Sequence, residues 1–249
     1  MGRFPQALLQ LENVTLRFGG NTVLKDIAAT VERAEIYGLI GPNGCGKTTF
    51  LNVVSGVYHP TSGKVLLKGV ETTNLPPYAQ ELRCMARTFQ IPKLWRKLSV
   101  LENIMVASFG KNPKRTHSQT LKQAEACLSD FGLADMMNEP ASNLSGGQSK
   151  LLETARAFAC DPEIVLLDEP LAGVAPSLVP RILDRIKKER DSGVTVLVVS
   201  HVISGLANLC DRLAVMSNGN MIAVGKPREV LAARNVVEAY LGESSVTAS

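Results

Sequence analysis

The chain has 249 residues, of which 45% are hydrophobic and 20% charged, and its formal net charge is +4. This length is enough to bury a substantial core as one large domain or two small ones, and so small a charge, without a dense Lys/Arg block beyond Lys111 to Arg115, does not indicate nucleic-acid binding. The five cysteines are scattered without C-x-x-C spacing, which favours reduced thiols of a cytosolic protein over a disulfide framework or a zinc site.

The sequence contains no segment with the pattern of a leader peptide or a membrane span. The N-terminus lacks an apolar h-region, and the apolar run Val194 to Val199 is far too short to cross a bilayer. We therefore expect a soluble chain.

The first third of the chain is predicted to be mainly extended. Strand-like alternation covers Leu8 to Phe18, Val23 to Val31 and Lys64 to Lys68. Turns rich in glycine or proline separate these segments. Antiparallel strands are the natural arrangement for such a pattern.

A glycine-rich loop lies between a short apolar strand, Ile36 to Ile40, and a predicted helix from Thr48 to Val54. It fits the pattern G-x-x-x-x-G-K-[ST], in which main-chain N–H groups surround nucleotide phosphates. The residues expected to bind nucleotide here are Gly41, Pro42, Asn43, Gly44, Cys45, Gly46, Lys47, Thr48 and Thr49. Glycines let the backbone approach an anion closely, and a helix N-terminus favours negative charge.

Two side chains of this loop have predicted roles of their own. Lys47 is expected to reach the β- and γ-phosphates, and the Thr48 hydroxyl is expected to bind Mg²⁺. The alternative interpretation is a glycine-rich turn with an incidental lysine.

Helical periodicity replaces the extended pattern from Val100 to Phe131, in two segments separated around Pro113. A second glycine-rich sequence, Leu144 to Gln148, precedes a predicted helix from Ser149 to Ala159. Because this helix N-terminus also suits an anion, the chain has two candidate phosphate-facing helix ends.

Helices and strands alternate from residue 146 onward, which predicts parallel strands with crossover helices. After the helix that ends at Ala159, the predicted elements are a strand from Ile164 to Leu167, a helix from Ser177 to Arg190 and a strand from Val194 to Val199.

The first of these strands ends in Asp168 and Glu169. In open α/β sheets ligands bind beyond the carboxyl ends of strands. We expect Asp168 to help hold Mg²⁺ and Glu169 to act as general base on an attacking water. The alternative is a strand that ends in a solvated acidic turn.

The order of the phosphate loop, then Leu144-Ser145-Gly146-Gly147-Gln148, then Leu166-Leu167-Asp168-Glu169-Pro170 resembles that of the ATP-binding cassette (ABC) ATPases over nearly the whole chain. The resemblance implies an α/β fold in which residues 1–90 and 146–240 form a P-loop ATPase core with an N-terminal antiparallel β subdomain. It also implies a helical signature subdomain at 91–145 and a C-terminal tail at 241–249.

In that family, the signature sequence of one subunit caps the γ-phosphate held by the loop of another. The resemblance therefore assigns Ser145, Gly146, Gly147 and Gln148 to nucleotide binding in a head-to-tail dimer with two ATP molecules at the interface.

Three further positions match the family. Phe18 lies where an aromatic residue stacks on adenine, and Gln90 lies where a glutamine touches Mg²⁺ and the water and links the site to the helical insertion. His201 matches the switch histidine, which contacts the γ-phosphate and orients the water. Without the resemblance, Phe18 would equally be a core residue at a strand end, and His201 a surface residue.

The sequence departs from the family pattern at a few positions. Ala175 stands where an acidic or amide residue bridges the dimer interface, and Val202 follows the switch histidine where Asp is common. Ser149-Lys150 replaces a pair that usually contains Arg, although Lys150 keeps one positive charge there. None of these changes removes a group that performs the chemistry.

The sequence resembles in particular the ATPase subunits of importers for branched-chain and other hydrophobic amino acids. The segments that carry this resemblance are Arg87 to Gln90, Leu98 to Ile104, Leu151 to Glu153, Ala172 to Val174 and Ala239 to Glu243. Subunits for amide or urea import and for lipopolysaccharide export share much of the pattern, so they remain alternatives.

The resemblance also implies the partners. A second ATPase subunit, either the same chain or a homologue, and separate membrane permease subunits are expected, with a substrate-binding protein as an indirect partner and ATP and Mg²⁺ as ligands. The segment Ile91 to Glu102 would dock a short helix of the permease, and Trp95 in it is either an interface anchor or an ordinary buried aromatic residue. The expected location is the cytoplasmic face of the inner membrane, as a peripheral protein.

Two other classes of function fit the sequence less well. A soluble ABC ATPase that acts on DNA or ribosomes usually has a tandem cassette, a long coiled-coil arm or a strongly basic face, and the sequence shows none of these. A switch that binds ATP without hydrolysing it would lack Glu169, Gln90 or His201, and all three are present.

Overall fold

The computed structural model describes residues 7–82, 84–109, 116–201 and 203–244. The strands in these ranges are β1 (Ala7–Phe18), β2 (Asn21–Glu32), β3 (Ile36–Ile40), β4 (Ser62–Leu67), β5 (Val70–Glu71), β6 (Met85–Arg87), β7 (Ile164–Asp168), β8 (Thr195–Val199), β9 (Arg212–Ser217) and β10 (Asn220–Gly225). The helices are α1 (Lys47–Val54), α2 (Pro77–Leu82), α3 (Val100–Phe109), α4 (His117–Asp130), α5 (Gly146–Ala159), α6 (Val179–Asp191), α7 (Ile203–Leu206), α8 (Pro227–Ala232) and α9 (Arg234–Ser244). None of the described helices is both long and apolar enough to span a membrane.

The N-terminal strands form the predicted antiparallel sheet, in the order β2-β1-β4-β5. Its register depends on an irregularity at Asn13, where φ is 51° and the pairing of β1 with β2 shifts between Leu11 and Val14. Strict alternation would turn Val14 away from the face that buries Leu11. The bulge corrects this, and both side chains are buried.

The second sheet has the order β10-β9-β3-β8-β7-β6. Its neighbours pair in parallel from β9 to β6, and β10 is antiparallel to β9. The central strands β3, β7 and β8 are buried along their whole length. Side chains on one face, such as Leu39 and Leu166, pack toward the antiparallel sheet and α1, whereas those on the other, such as Ile40 and Leu167, pack toward α5 and the helical layer.

This topology brings three loops together. Because β3, β8 and β7 are adjacent and parallel, their carboxyl ends, Ile40, Val199 and Asp168, lie at one edge of the sheet. Ligands of open α/β sheets bind at this edge. The predicted α/β fold with an N-terminal antiparallel sheet is confirmed.

Helix α5 packs against both α3 and α4. The prediction that this helix starts at Ser149 is wrong, since it begins at Gly146 with Ser145 as its N-cap. Glycine has low helix propensity, but a reciprocal capping box between Ser145 and Gln148 stabilises the first turn. The boundaries proposed for the subdomains stay predictions.

Candidate nucleotide-binding site

The glycine-rich loop connects the carboxyl end of β3 to the N-terminus of α1. Gly41 has a φ of 154°, and a Cβ there would lie 2.2 Å from the Met216 carbonyl oxygen. The N-cap residue of α1 is Gly46, with a φ of 110° and no side-chain capping hydrogen bond. The loop thus needs glycine sterically, and no N-cap side chain occupies the amide groups at this helix end.

Lys47 folds back over the loop. Its Nζ donates hydrogen bonds to the carbonyl oxygens of Gly41, at 2.6 Å, and Pro42, at 2.7 Å. It borders a cavity of about 260 Å³ that is also lined by Thr48, Gln90 and Glu169. A cation and helix N-terminal amides around one cavity suit a phosphate group.

Asp168 ends β7 and is 1% exposed. Its main-chain N–H donates to Thr88 Oγ1 at 3.0 Å, but neither carboxylate oxygen accepts a hydrogen bond from any described residue. Burial raises the pKa of this carboxyl, while the charges of Arg87 and Lys150 oppose the shift. Buried acceptors without partners are uncommon, and carboxylate and hydroxyl oxygens are the donors that a hard divalent cation prefers. Asp168 and Thr48 therefore fit a magnesium ion.

Glu169 is held in an unusual backbone conformation, with a φ of 50°. Its N–H donates to the Val199 carbonyl at 2.9 Å, which ties it to the end of β8. Residues in the left-handed region cost free energy and often occur at functional sites. Here the conformation turns the side chain back toward the loop after β8.

Two side chains after β8 orient the Glu169 carboxylate. His201 Nδ1 lies 2.8 Å from Oε1, and Ser200 Oγ donates to Oε2 at 2.9 Å. The Glu169 side chain is 13% exposed, so it is shielded and yet reachable from the cavity. Ser200 was not predicted from the sequence, although its place next to His201 at a predicted strand end was an available signal.

Other predicted residues lie around this centre in different ways. Gln90 is exposed and lines the cavity. Cys45 is 4% exposed and packs in the core, with its Sγ 3.9 Å from Lys47 Nζ, so its side chain points away from the loop surface. Phe18 is 46% exposed and packs edge-on against Tyr58 rather than lining the phosphate cavity.

The signature residues form a separate surface. Ser145 Oγ accepts a hydrogen bond from the Gln148 N–H at 3.3 Å, and Gln148 Oε1 accepts one from the Ser145 N–H at 2.9 Å. Gly147 packs so tightly that a Cβ there would lie 2.3 Å from the Gly173 carbonyl oxygen. Ser145, Gly147 and Gln148 line a second cavity together with Ala175. Within the described residues, this cavity shares no lining residue with the phosphate cavity. Val202 lies outside the described residues.

Comparisons with known proteins identify similar chains. The ABC transporter family model matches residues 24–172. A probable branched-chain amino acid transport ATP-binding protein, LivG, from Archaeoglobus fulgidus is 39% identical over 245 residues, which cover 94% of this chain and 95% of the relative. The lipopolysaccharide export system ATP-binding protein LptB of Escherichia coli is 35% identical over 237 residues, with coverage of 95% and 98%.

A similar solved structure is a dimeric ATP-binding cassette in a post-hydrolysis state with ADP and phosphate bound. It has a TM-score of 0.80 and 28% sequence identity to this chain, and the match covers 88% of this chain and 99% of that one.

Proposed function

Because this chain belongs to the ABC transporter family and is an ATP-hydrolysing transporter subunit, we propose that it drives the import of branched-chain or related amino acids through separate permease subunits. The proposal depends mainly on one observation, the 39% identity over nearly full length to an ATP-binding protein of branched-chain amino acid transport. The motif segments around Gln90 and Leu151 support the same assignment.

The residues at the strand ends have different proposed roles in ATP hydrolysis. We assign phosphate binding to Lys47 and to the main-chain N–H groups of the loop, and the holding of Mg²⁺ to Thr48, Asp168 and Gln90. The metal ion would neutralise phosphate charge when bound.

Glu169 is the proposed general base, with the attacking water on the cavity side of its carboxylate. His201 and Ser200 hold the two carboxylate oxygens, which limits the orientations in which the carboxylate can accept a proton from that water. Phe18 is proposed to stack on adenine, since its ring is exposed at the end of β1.

The site is proposed to be completed by a second subunit. The signature helix end lines a different cavity from that of the phosphate loop of the same chain. We propose that its N-terminus faces a phosphate held by the loop of another chain. In a head-to-tail pair of subunits, the phosphate loop of each subunit faces the signature helix end of the other. The partner is either this chain or a homologue.

The permease is proposed to dock in a groove of about 490 Å³ beside Gln90. The groove is lined by apolar and aromatic side chains that include Tyr78, Phe89, Trp95 and Val106. Trp95 is 44% exposed and has the Arg156 guanidinium 4.7 Å from its ring centroid, so it is not an ordinary buried aromatic residue. Exposed aromatic residues beside Arg are typical anchors of protein interfaces. Docking there would place the chain at the cytoplasmic face of the inner membrane.

Reconstitution tests this proposal. The chain is coexpressed with the permease genes next to its own, and we expect it to sediment with membranes and to be released when the permeases are absent. In proteoliposomes that also receive the cognate binding protein, we expect leucine or valine to stimulate ATP hydrolysis. Copurification with ribosomes or DNA alone would contradict the transport function.

A second candidate is lipopolysaccharide export, because LptB is 35% identical to this chain. The same proteoliposomes distinguish amino acid import from lipopolysaccharide export. Stimulation by lipopolysaccharide but not by leucine, valine or isoleucine would favour export.

A further inference from the structure

Helix α5 carries a buried ion pair, Lys150 and Glu153, close to its N-terminus. The two residues are 2% and 1% exposed, and Nζ lies 3.7 Å from Glu153 Oε2. Burial lowers the pKa of Lys150, and it raises the pKa of Glu153. A buried ion pair of this kind often adds no stability over apolar residues of similar volume.

Each member of the pair also bonds the main chain of another segment. Lys150 Nζ donates to the Phe89 carbonyl oxygen, and Glu153 Oε1 accepts from the Lys93 N–H at 3.0 Å. These two contacts lie on either side of Gln90. The segment between them has no regular secondary structure, so the pair supplies hydrogen bonds that a sheet or helix would otherwise provide.

Helix α5 extends from the cavity at Ser145 to the groove beside Trp95. It begins at the signature N-cap Ser145, and its last turns, with Arg156 and Cys160, line the groove beside Trp95. The Phe89–Lys93 segment therefore contacts α5 between the proposed nucleotide-capping end and the proposed permease groove.

We propose that Lys150 and Glu153 are positioning residues that clamp the segment bearing Gln90 to α5, so that Gln90 moves with the signature end of the helix. The inference rests on the proposed role of Gln90 at the nucleotide. The two side chains hold main-chain atoms of that segment. We therefore expect their loss to lower turnover by displacing Gln90, whether or not the ion pair stabilises the folded protein.

The test asks whether loss of the two main-chain contacts lowers ATP turnover independently of thermal stability. Lys150→Met with Glu153→Leu replaces the pair by apolar side chains and removes both main-chain contacts. We expect a melting temperature close to that of the wild type, because the gain from removing a buried ion pair offsets the loss of two main-chain hydrogen bonds. We also expect a fall in kcat on the order of 100-fold, because small misplacements near the reacting atoms are costly. KM for ATP should change little, since the phosphate loop is untouched.

Two further variants control for stability. Glu153→Gln keeps an oxygen that can accept from the Lys93 N–H but leaves Lys150 without its counter-charge, so it should melt lower than the double variant and yet retain more turnover. Glu35→Gln weakens the ion pair of the buried Glu35 with the partly exposed Arg212, at 2.7 Å, and should lower the melting temperature without changing kcat.

Hydrogen exchange on the ATP-free protein gives a readout that is independent of activity. Peptides covering 89–95 should exchange faster in the double variant than in the wild type and Glu153→Gln, with α6 peptides unchanged. A double variant with wild-type exchange and kcat would overturn the proposal, and so would a kcat that follows melting temperature across all three variants. An inactive wild type would refute the proposed function alone, because the exchange comparison would still test the clamp.

Discussion

The two glycine-rich helix ends of this chain are built differently. At α1 the N-cap is Gly46 and no side chain caps the helix, while the buried carboxylate of Asp168 nearby lacks hydrogen-bond partners among the described residues. At α5 the N-cap is Ser145, and its side chain and that of Gln148 satisfy each other's main-chain N–H groups.

The difference shows how one chain can carry two halves of a site. The α1 end has no capping side chain, and the Asp168 carboxylate nearby has no hydrogen-bond partner among the described residues. An unpaired buried group costs stability without a ligand and favours binding when one arrives. At the α5 end, Ser145 and Gln148 supply the capping hydrogen bonds, which stabilise the first turn without a ligand. Such an end can add contacts to a phosphate presented by another chain without preforming a site itself.

The largest effect is expected at the α1 end, and it tests whether the residues there carry out ATP hydrolysis. Glu169→Gln should lower ATP turnover by roughly 10²–10⁴-fold, the usual contribution of a general base. ATP binding should persist because Lys47 and the loop remain, and ATP should trap a stable dimer. Phosphate release and size-exclusion chromatography with ATP measure the two effects. Turnover at the wild-type rate would remove Glu169 from this role.

An intermediate effect is expected at the α5 end and tests whether it contributes to turnover at all. Ser145→Ala removes a cap worth about 1 kcal/mol. It also removes a hydroxyl proposed to contact the partner's nucleotide, so kcat should fall roughly 10- to 150-fold, since a hydrogen bond to a charged group contributes about 1.5–3 kcal/mol.

The matched control for this variant is Thr116→Ala. Thr116 caps α4 through an equivalent capping box with Gln119, so its loss should cost similar stability in thermal melts. ATP turnover should be unchanged in that variant. Equal losses of turnover in both variants would reduce Ser145 to an ordinary helix cap.

The smallest effect concerns the stability cost at the α1 end. Since burial raises the pKa of Asp168, the folded state binds its proton more tightly than the unfolded chain. The free energy of unfolding therefore falls as pH rises through the window between the unfolded and the raised folded pKa. Asp168→Asn should stabilise the protein by about 1–3 kcal/mol at pH 7 without Mg²⁺ or nucleotide.

Thermal melts across pH measure this gain. The exposed Glu71, whose side chain is 48% accessible, provides the control Glu71→Gln. We expect little change there, because its exposed ion pair with Lys64 contributes little stability. A destabilised Asp168→Asn would mean that the carboxylate stabilises the unliganded fold, and the contrast between the two helix ends would fail.

Strongly patterned elements could be predicted from the sequence. The phosphate loop, the strand before it and the strand that ends at Asp168 carry glycine spacing or continuous apolar runs, and these local signals agree with the fold. Strand β6 and the α2 helix were not predicted, because elements of three and six residues hold too few turns or alternations to show a period. No element was assigned beyond His201, where the structure adds α7, β9, β10, α8 and α9.

Side-chain directions were less predictable than elements. Cys45 sits in a predicted binding loop, but its side chain packs in the core. Ser200 orients Glu169 although the two are separated along the chain, and Lys150 and Glu153 reach Phe89 and Lys93 across a tertiary contact. No periodicity encodes such contacts between distant segments.

The amino-acid sequence by itself determined the chemistry that is available and the class of fold, because glycine spacing, apolar runs and strand-end acids act over a few neighbouring residues. The tertiary structure alone decided which groups meet. The order β3-β8-β7 brings the loop, His201 and Glu169 to one edge, and the packing of α5 places its signature end in a separate cavity. Those placements depend on strand pairing and core packing between segments far apart in the chain, which no local pattern specifies.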